Sequence, residues 1–187
     1  MTCIVGIAQD GNVWLGGDSA GVSGYSITQR RDVKVFRNGR FIMGFTSSFR
    51  MGQLLAHAFH PPKRHADTDV YKFMVTEFVD AVRGCLKGGG YAETHNSAER
   101  GGTFLVGYEG RLFKIEGDYQ VGESLLGYDA CGCGDDIALG SLYSTAGQEP
   151  AQRIMTALGA ASCFSAGVIA PFNVVAANEP SALKEAA

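Results

Sequence analysis

The chain has 187 residues, with 26 glycines, 45% apolar residues, 19% charged residues and a formal net charge of −3. That length can hold one domain with a substantial core, and the glycine excess favours strands and tight turns over long helices. No basic field points to nucleic acid or anionic lipid, no apolar run approaches the roughly 20 residues of a membrane helix, and the start lacks a signal-peptide pattern. A cytoplasmic protein of one domain, residues 1–187, is therefore expected.

Residues 2–9 predict a strand apolar on both faces, a pattern that buries both. Asp10-Gly11 is a hairpin signal, because both residues tolerate positive φ. A second strand over 12–18 ends at Gly16-Gly17, where the backbone can approach a neighbour closely. Residues 19–31 are polar and predict a loop with a short irregular ribbon. Strands over 33–37 and 40–46 flank Asn38-Gly39, a second hairpin signal. From Ser48 to Phe59 the period becomes helical, with Met51, Leu54, Leu55 and Ala58 on one side and Pro61-Pro62 as a stop.

Thr68 or Asp69 can cap a second helix carrying Val70, Phe73, Met74, Phe78, Val79 and Val82, which ends at Gly88-Gly89-Gly90. Residues 91–100 are polar and expected to be mobile, and 88–102 are a candidate lid. Strands follow over 103–108 and 111–115 around Glu109-Gly110, then over 125–130. Helices are predicted over 135–145 and 150–161, with Pro150 suited to a first turn. A last strand over 168–175 precedes a polar, frayed tail from Asn178. This order predicts an α+β fold of two stacked antiparallel sheets with helices on both outer faces.

Five cysteines, an odd count, argue against a disulfide framework. Cys131 and Cys133 form a C-x-C without a second ligand pair, so neither a metal nor a cofactor is predicted. His57, His60, His65 and His95 lie in or beside a polar mid-chain stretch and are expected at the solvated surface. None has an evident carboxylate partner, which leaves a Ser-His-Asp reading little support.

Thr2 offers a different nucleophile. With Met1 removed, it carries a hydroxyl and a free α-amine on one residue. Such an amine, with a pKa of about 7.7–8.0, can activate the hydroxyl without a histidine. Asp18 follows the second strand in Gly16-Gly17-Asp18-Ser19-Ala20, and Lys34 lies in Asp32-Val33-Lys34-Val35-Phe36. Cys3 is expected in the core, on the opposite side of the strand from Thr2.

In these three stretches the chain resembles proteasome β-subunits and the bacterial HslV peptidase, which are Ntn hydrolases. Thr2-Cys3-Ile4-Val5-Gly6 fits the family's opening strand, and Gly17-Asp18 and Lys34 stand at its intervals without a gap. The resemblance is strongest from Thr2 to about Ser48 and weaker at 132–134 and 157–168. It implies a four-layer αββα sandwich of two antiparallel sheets flanked by helix pairs. It also implies a threonine peptidase: Thr2 Oγ1 attacks a peptide carbonyl, Lys34 lowers the hydroxyl pKa, and Asp18 holds Lys34 charged.

By the same resemblance Ser47 aligns with the glycine that donates to the oxyanion, and Phe45 with the floor of the specificity pocket, although Phe45 is equally readable as core. Gly132-Cys133-Gly134 stands where the family has Gly-Ser-Gly, placing Cys133 near the nucleophile. In 162–167, Ser165 is retained while Ser162 replaces the family's aspartate. The implied partners are a peptide or unfolded protein substrate, copies of the chain in a homo-oligomeric ring, and an ATPase unfoldase. Two other readings stand beside this one. A non-catalytic assembly subunit would keep Met1, and Ser47, Cys133 and Ser162 lean towards it; an Ntn amidase or acylase would act on a small amide.

Overall fold

The computed structural model describes residues 1–91, 93–95 and 98–178, and for residues 93–95 and 98 the backbone alone. The first strand, β1 (Cys3–Gln9), turns at Asp10-Gly11 into β2 (Asn12–Gly17), with Gln9 opposite Asn12. Both turn residues have positive φ, 51° and 72°, as the dipeptide predicts. The ribbon expected to be irregular is a regular ladder of β3 (Ala20–Ser23) and β4 (Ser26–Gln29). Next come β5 (Val35–Asn38) and β6 (Phe41–Phe45). Asn38 pairs with Phe41, so the loop is Gly39-Arg40, one residue later than the sequence signal suggests.

Helix α1 (Phe49–His57) is capped by Ser48, whose side chain accepts from the Arg50 N–H. Asp69 caps the next helix by accepting from the Lys72 N–H. That helix runs as α2 (Val70–Phe73), a π-helical stretch over Met74–Phe78, and α3 (Val79–Gly88). Within the segment expected to be mobile, β7 (Glu93–His95) pairs with β8 (Ala98–Arg100). Residues 92, 96 and 97, the His95 side chain and the tail from 179 lie outside the described residues.

The hairpin of β9 (Phe104–Tyr108) and β10 (Arg111–Ile115) turns at Glu109-Gly110 as predicted. A short strand, β11 (Val121–Glu123), follows without having been predicted. Strand β12 (Tyr128–Gly132) sits three residues later than the sequence suggests, because Leu125 and Leu126 are exposed and the pairing surface starts at Tyr128. Helices α4 (Asp135–Ser144) and α5 (Pro150–Phe164) match their expected positions, with α5 one turn longer, and β13 (Asn173–Ala176) is shorter and later than predicted.

One antiparallel sheet has the order β12-β1-β2-β13, the other β11-β10-β9-β6-β5. Alternation along β1 shows how its faces divide. Cys3, Val5 and Ile7 join Leu142, Ile154 and Leu158 of α4 and α5, whereas Ile4 joins Leu15, Val35, Ile42 and Leu105 from both sheets. A third cluster sets Phe41, Met43 and Phe104 of the second sheet against Leu55, Phe73, Phe78 and Val82 of α1, the π-helical stretch and its flanking helices. Phe41 stacks on Tyr108 with ring centroids 4.1 Å apart. The result is a mixed α/β fold with antiparallel sheets.

Gly16 lets α5 approach β2. A Cβ at this position would lie 2.2 Å from Ile154 Cγ2 and 3.1 Å from Leu158 Cδ1. Gly16→Val should therefore cost about 1–3 kcal/mol, read as a lower midpoint in urea unfolding with an unchanged slope. An unchanged midpoint would contradict the tight helix–sheet contact.

Candidate active site

Three sequence segments meet at one buried point. Thr2 precedes β1, Asp18 follows β2, and Lys34 precedes β5 in the other sheet. The Lys34 carbonyl accepts from the Phe45 N–H, which fixes the start of β5 against β6. Lys34 Nζ donates to Thr2 Oγ1 at 3.0 Å and to Asp18 Oδ1 at 2.8 Å. Asp18 Oδ1 also accepts from the Cys3 N–H, and Oδ2 from the Ala20 N–H. Thr2, Asp18 and Lys34 are all buried.

A buried ion pair is weak evidence for stability, because desolvation offsets most of the attraction. Here burial holds the Lys34 ammonium below its ordinary value, and the Asp18 carboxylate counters part of that shift. The pair thus keeps a desolvated cation within hydrogen-bond distance of a hydroxyl. Asp18 is the more committed member, since it satisfies the ammonium and two backbone donors.

The Thr2 nitrogen has a partner of its own. As the amide of Met1-Thr2 it donates to Cys133 Sγ at 3.3 Å, and the Thr2 hydroxyl donates to the Met1 carbonyl. Ser165 Oγ donates to Cys133 Sγ at 3.2 Å. Gly132 makes this approach feasible: its φ is 107°, and a Cβ there would lie 2.2 Å from the Thr2 carbonyl oxygen. Gly167 is equally close to the start of the chain, a Cβ there lying 2.2 Å from Met1 Cβ. Ser162 instead donates to Gly159 O within α5.

Ser47 adopts a left-handed conformation, φ 67°, despite being a serine. Two contacts hold it. Ser48 N donates to Thr46 O across the turn, and Ser47 Oγ accepts from the Thr103 N–H. Among the described residues nothing accepts from the Ser47 N–H. Phe45 is core, packed against Gly52, Phe36 and Phe49, and it also lines a cavity of about 930 Å³ bounded by α1, β5 and β13. Cys3 is core as expected, and burial pushes its thiol up to about 12. His57, His60 and His65 are exposed.

Sequence reasoning did not find two features of this neighbourhood. The Phe49 ring lies 5.7 Å from Lys34 Nζ and carries the Arg30 guanidinium 4.0 Å above its centre. A cavity of about 410 Å³ on the Met1 and Cys133 side is lined by Lys114, Glu116 and Asp135. No local motif marks either feature, because their residues come from separate elements.

No protein-family model matches the sequence, and no curated protein matches it. Solved structures do match. BPH from Thiobacillus denitrificans shares 19% identity at a TM-score of 0.76, over 94% of this chain and 97% of that one. BPH is also known in complex with epoxomicin. HslV from Trypanosoma brucei shares 16% identity at a TM-score of 0.66, over 94% and 98% of the two chains. Anbu, an ancestral β-subunit, from Yersinia bercovieri shares 14% at 0.64, over 94% and 81%. These are proteasome-like Ntn hydrolases. At such identities the likeness is one of fold, and the chain has their fold.

Two outcomes test the site. Asp18→Ala strands a buried ammonium and two N–H groups and should cost about 3–5 kcal/mol in urea unfolding, whereas Lys34→Met leaves the carboxylate two donors and should cost clearly less. Equal or reversed costs would contradict the arrangement. Ser47→Gly should exceed Ser47→Ala in stability by about 1 kcal/mol, because both lose the Oγ acceptor and only alanine keeps the left-handed penalty. Equal stabilities would place Ser47 outside the left-handed region.

Proposed function

We propose that the chain is a proteasome/HslV-like N-terminal threonine peptidase, active once Met1 is removed. The observation that carries this reading is the buried Lys34 ammonium 3.0 Å from Thr2 Oγ1 and 2.8 Å from Asp18. Few structural roles call for a desolvated cation aimed at a hydroxyl, and a threonine nucleophile does.

In this reading the free Thr2 amine takes the hydroxyl proton as Oγ1 bonds to the carbonyl carbon. Lys34 stabilises the developing alkoxide, and the Ser47 N–H donates to the oxyanion. The C–N bond then breaks, and the Thr2 ammonium returns its proton to the leaving amine. Water attacks the acyl ester with the amine again as base, releasing the acid and restoring the hydroxyl. Cys133 and Ser165 orient the amine. As a thiol Cys133 is a weaker hydrogen-bonding partner than the family's serine, which lowers the rate without removing the base.

The same reading includes one domain with a four-layer αββα order, supported by the three apolar clusters. It also includes a homo-oligomeric ring, a peptide or unfolded protein substrate, an ATPase unfoldase as partner, and a cytoplasmic location. Among the described residues no helix is long and apolar enough to cross a membrane.

One observation favours a second reading, a non-catalytic assembly subunit. Cys133, which accepts from the Thr2 nitrogen where the family has a serine, is a weaker partner for an amine that has to act as a base. An Ntn amidase acting on a small amide has no comparable support.

Turnover of a fluorogenic peptide panel by protein beginning at Thr2 separates these readings. Thr2→Ala should lose at least about 1,000-fold in kcat/KM, and Lys34→Met about 100-fold or more. The rate should rise with pH as the amine deprotonates near about 7.7–8.0. Absence of turnover in protein beginning at Thr2, or turnover that survives Thr2→Ala, would overturn the peptidase reading.

A further inference from the structure

The cavity of about 410 Å³ beside Thr2 is lined by Met1, Ser47 and Cys133 together with Lys114, Glu116 and Asp135. Its position follows from contacts already described. Cys133 Sγ is 3.3 Å from the Thr2 nitrogen, and Met1 is attached to that nitrogen. On the peptidase reading, on which this inference rests, the leaving amine takes its proton from the Thr2 nitrogen. The substrate segment beyond the scissile bond must therefore run on the nitrogen side of the hydroxyl, where this cavity lies. Lys34 and Phe49 do not line this cavity; Lys34 Nζ donates to the hydroxyl and lies 5.7 Å from the Phe49 ring centre.

The charge of the lining is also informative. Lys114 Nζ is 3.4 Å from Glu116 Oε1 and 3.8 Å from Asp129 Oδ1. Burial opposes the Lys114 charge, but Asp129 and Glu116 outweigh it and hold the ammonium above its ordinary value. The single side-chain cation of the lining is thus already answered. Asp135 stands in the first turn of α4, where among the described residues Oδ1 accepts only from the Asp136 N–H. The remaining titratable groups of the lining are the Met1 α-amine, which leaves with Met1, and the thiols of Cys131 and Cys133; burial drives the Cys131 thiol well up, so it stays neutral. Once Met1 is removed and the Thr2 amine is the neutral base, the cavity carries an excess of negative charge, Glu116 and Asp135 against Lys114, in a partly desolvated setting where charge acts more strongly than in bulk water.

We propose that this cavity is the subsite for the leaving segment of the substrate, and that it selects peptides with a lysine or arginine directly after the scissile bond and disfavours an acid there. Removal of Met1 then has two effects: it frees the amine and opens the cavity to it. Glu116 and Asp135 act as specificity determinants and need not touch the reacting atoms.

The test uses protein beginning at Thr2 and two readouts. The first is kcat/KM for quenched peptides identical up to the scissile bond and carrying Lys or Glu directly after it. A Lys/Glu ratio of about tenfold or more is expected, well within what two carboxylates near contact can supply. The ratio should fall towards one in Glu116→Gln/Asp135→Asn, whose amides keep the acceptors used by Thr103 and Asp136, and should rise in Lys114→Met. The second is binding of short peptides beginning with Lys or Glu to the Thr2→Ala protein, followed by NMR shifts. Tighter binding of the Lys peptide, lost in the double variant, is expected.

Cleavage without a Lys/Glu preference, or with an acidic preference, overturns the subsite and leaves the peptidase reading intact. No cleavage with a binding preference retained overturns the peptidase reading and leaves the cation-selective cavity. Neither cleavage nor preference overturns both.

Discussion

The buried contact between Lys34 and Asp18 is the constraint on which the site depends. It joins the two sheets: Asp18 leaves β2 of one, and Lys34 enters β5 of the other. Through its second oxygen Asp18 also fixes the first residue of the β3–β4 ribbon, and through its first it fixes the start of β1. The threonine that precedes β1 is consequently held against the lysine by the same carboxylate that charges it. Positioning and electrostatics come from a single group.

That arrangement is difficult to explain as a device for stability. An apolar replacement of similar volume commonly matches or exceeds a buried ion pair. The core around it is already well supplied with apolar contacts, from Ile4 and Val35 between the sheets to the stacked Phe41 and Tyr108 further out. A charge kept in this setting at a cost in desolvation points to what it faces, the Thr2 hydroxyl. The strained Ser47 has a comparable character. A left-handed serine is uncommon, and here the Thr103 amide and the tight turn at Thr46–Ser48 hold it in place.

Much of this was legible in the sequence for a simple reason. Thr2, Asp18 and Lys34 lie on consecutive short hairpins whose turns are written in local residues, so their spacing translates into position. Asp10-Gly11 sets the register of β1 on β2 and thereby brings Asp18 beside Cys3. Ser48 and Asp69 announce their helices by the backbone N–H groups they accept from. Other elements were misread where tertiary contacts decide. Leu125-Leu126 look like strand residues but are exposed, while Tyr128–Gly132, with a polar Asp129, becomes the strand because β1 offers it a partner. Nothing local links Lys114, Glu116 and Asp135 to Thr2, since β10 and the start of α4 reach that cavity only through the packing of both sheets. Phe49 and Arg30 likewise come together from different elements over Lys34.

The central claim is that the hydroxyl is set by the fold and that only the amine is missing while Met1 is attached. The most direct measurement compares two forms of the protein, one beginning at Thr2 and one retaining Met1, after exposure to an epoxyketone. That electrophile forms a ring with a hydroxyl and an amine of the same residue. Intact mass should show one adduct per chain in the form beginning at Thr2 and none in the form retaining Met1. Equal labelling of both forms, or of neither, would contradict the claim.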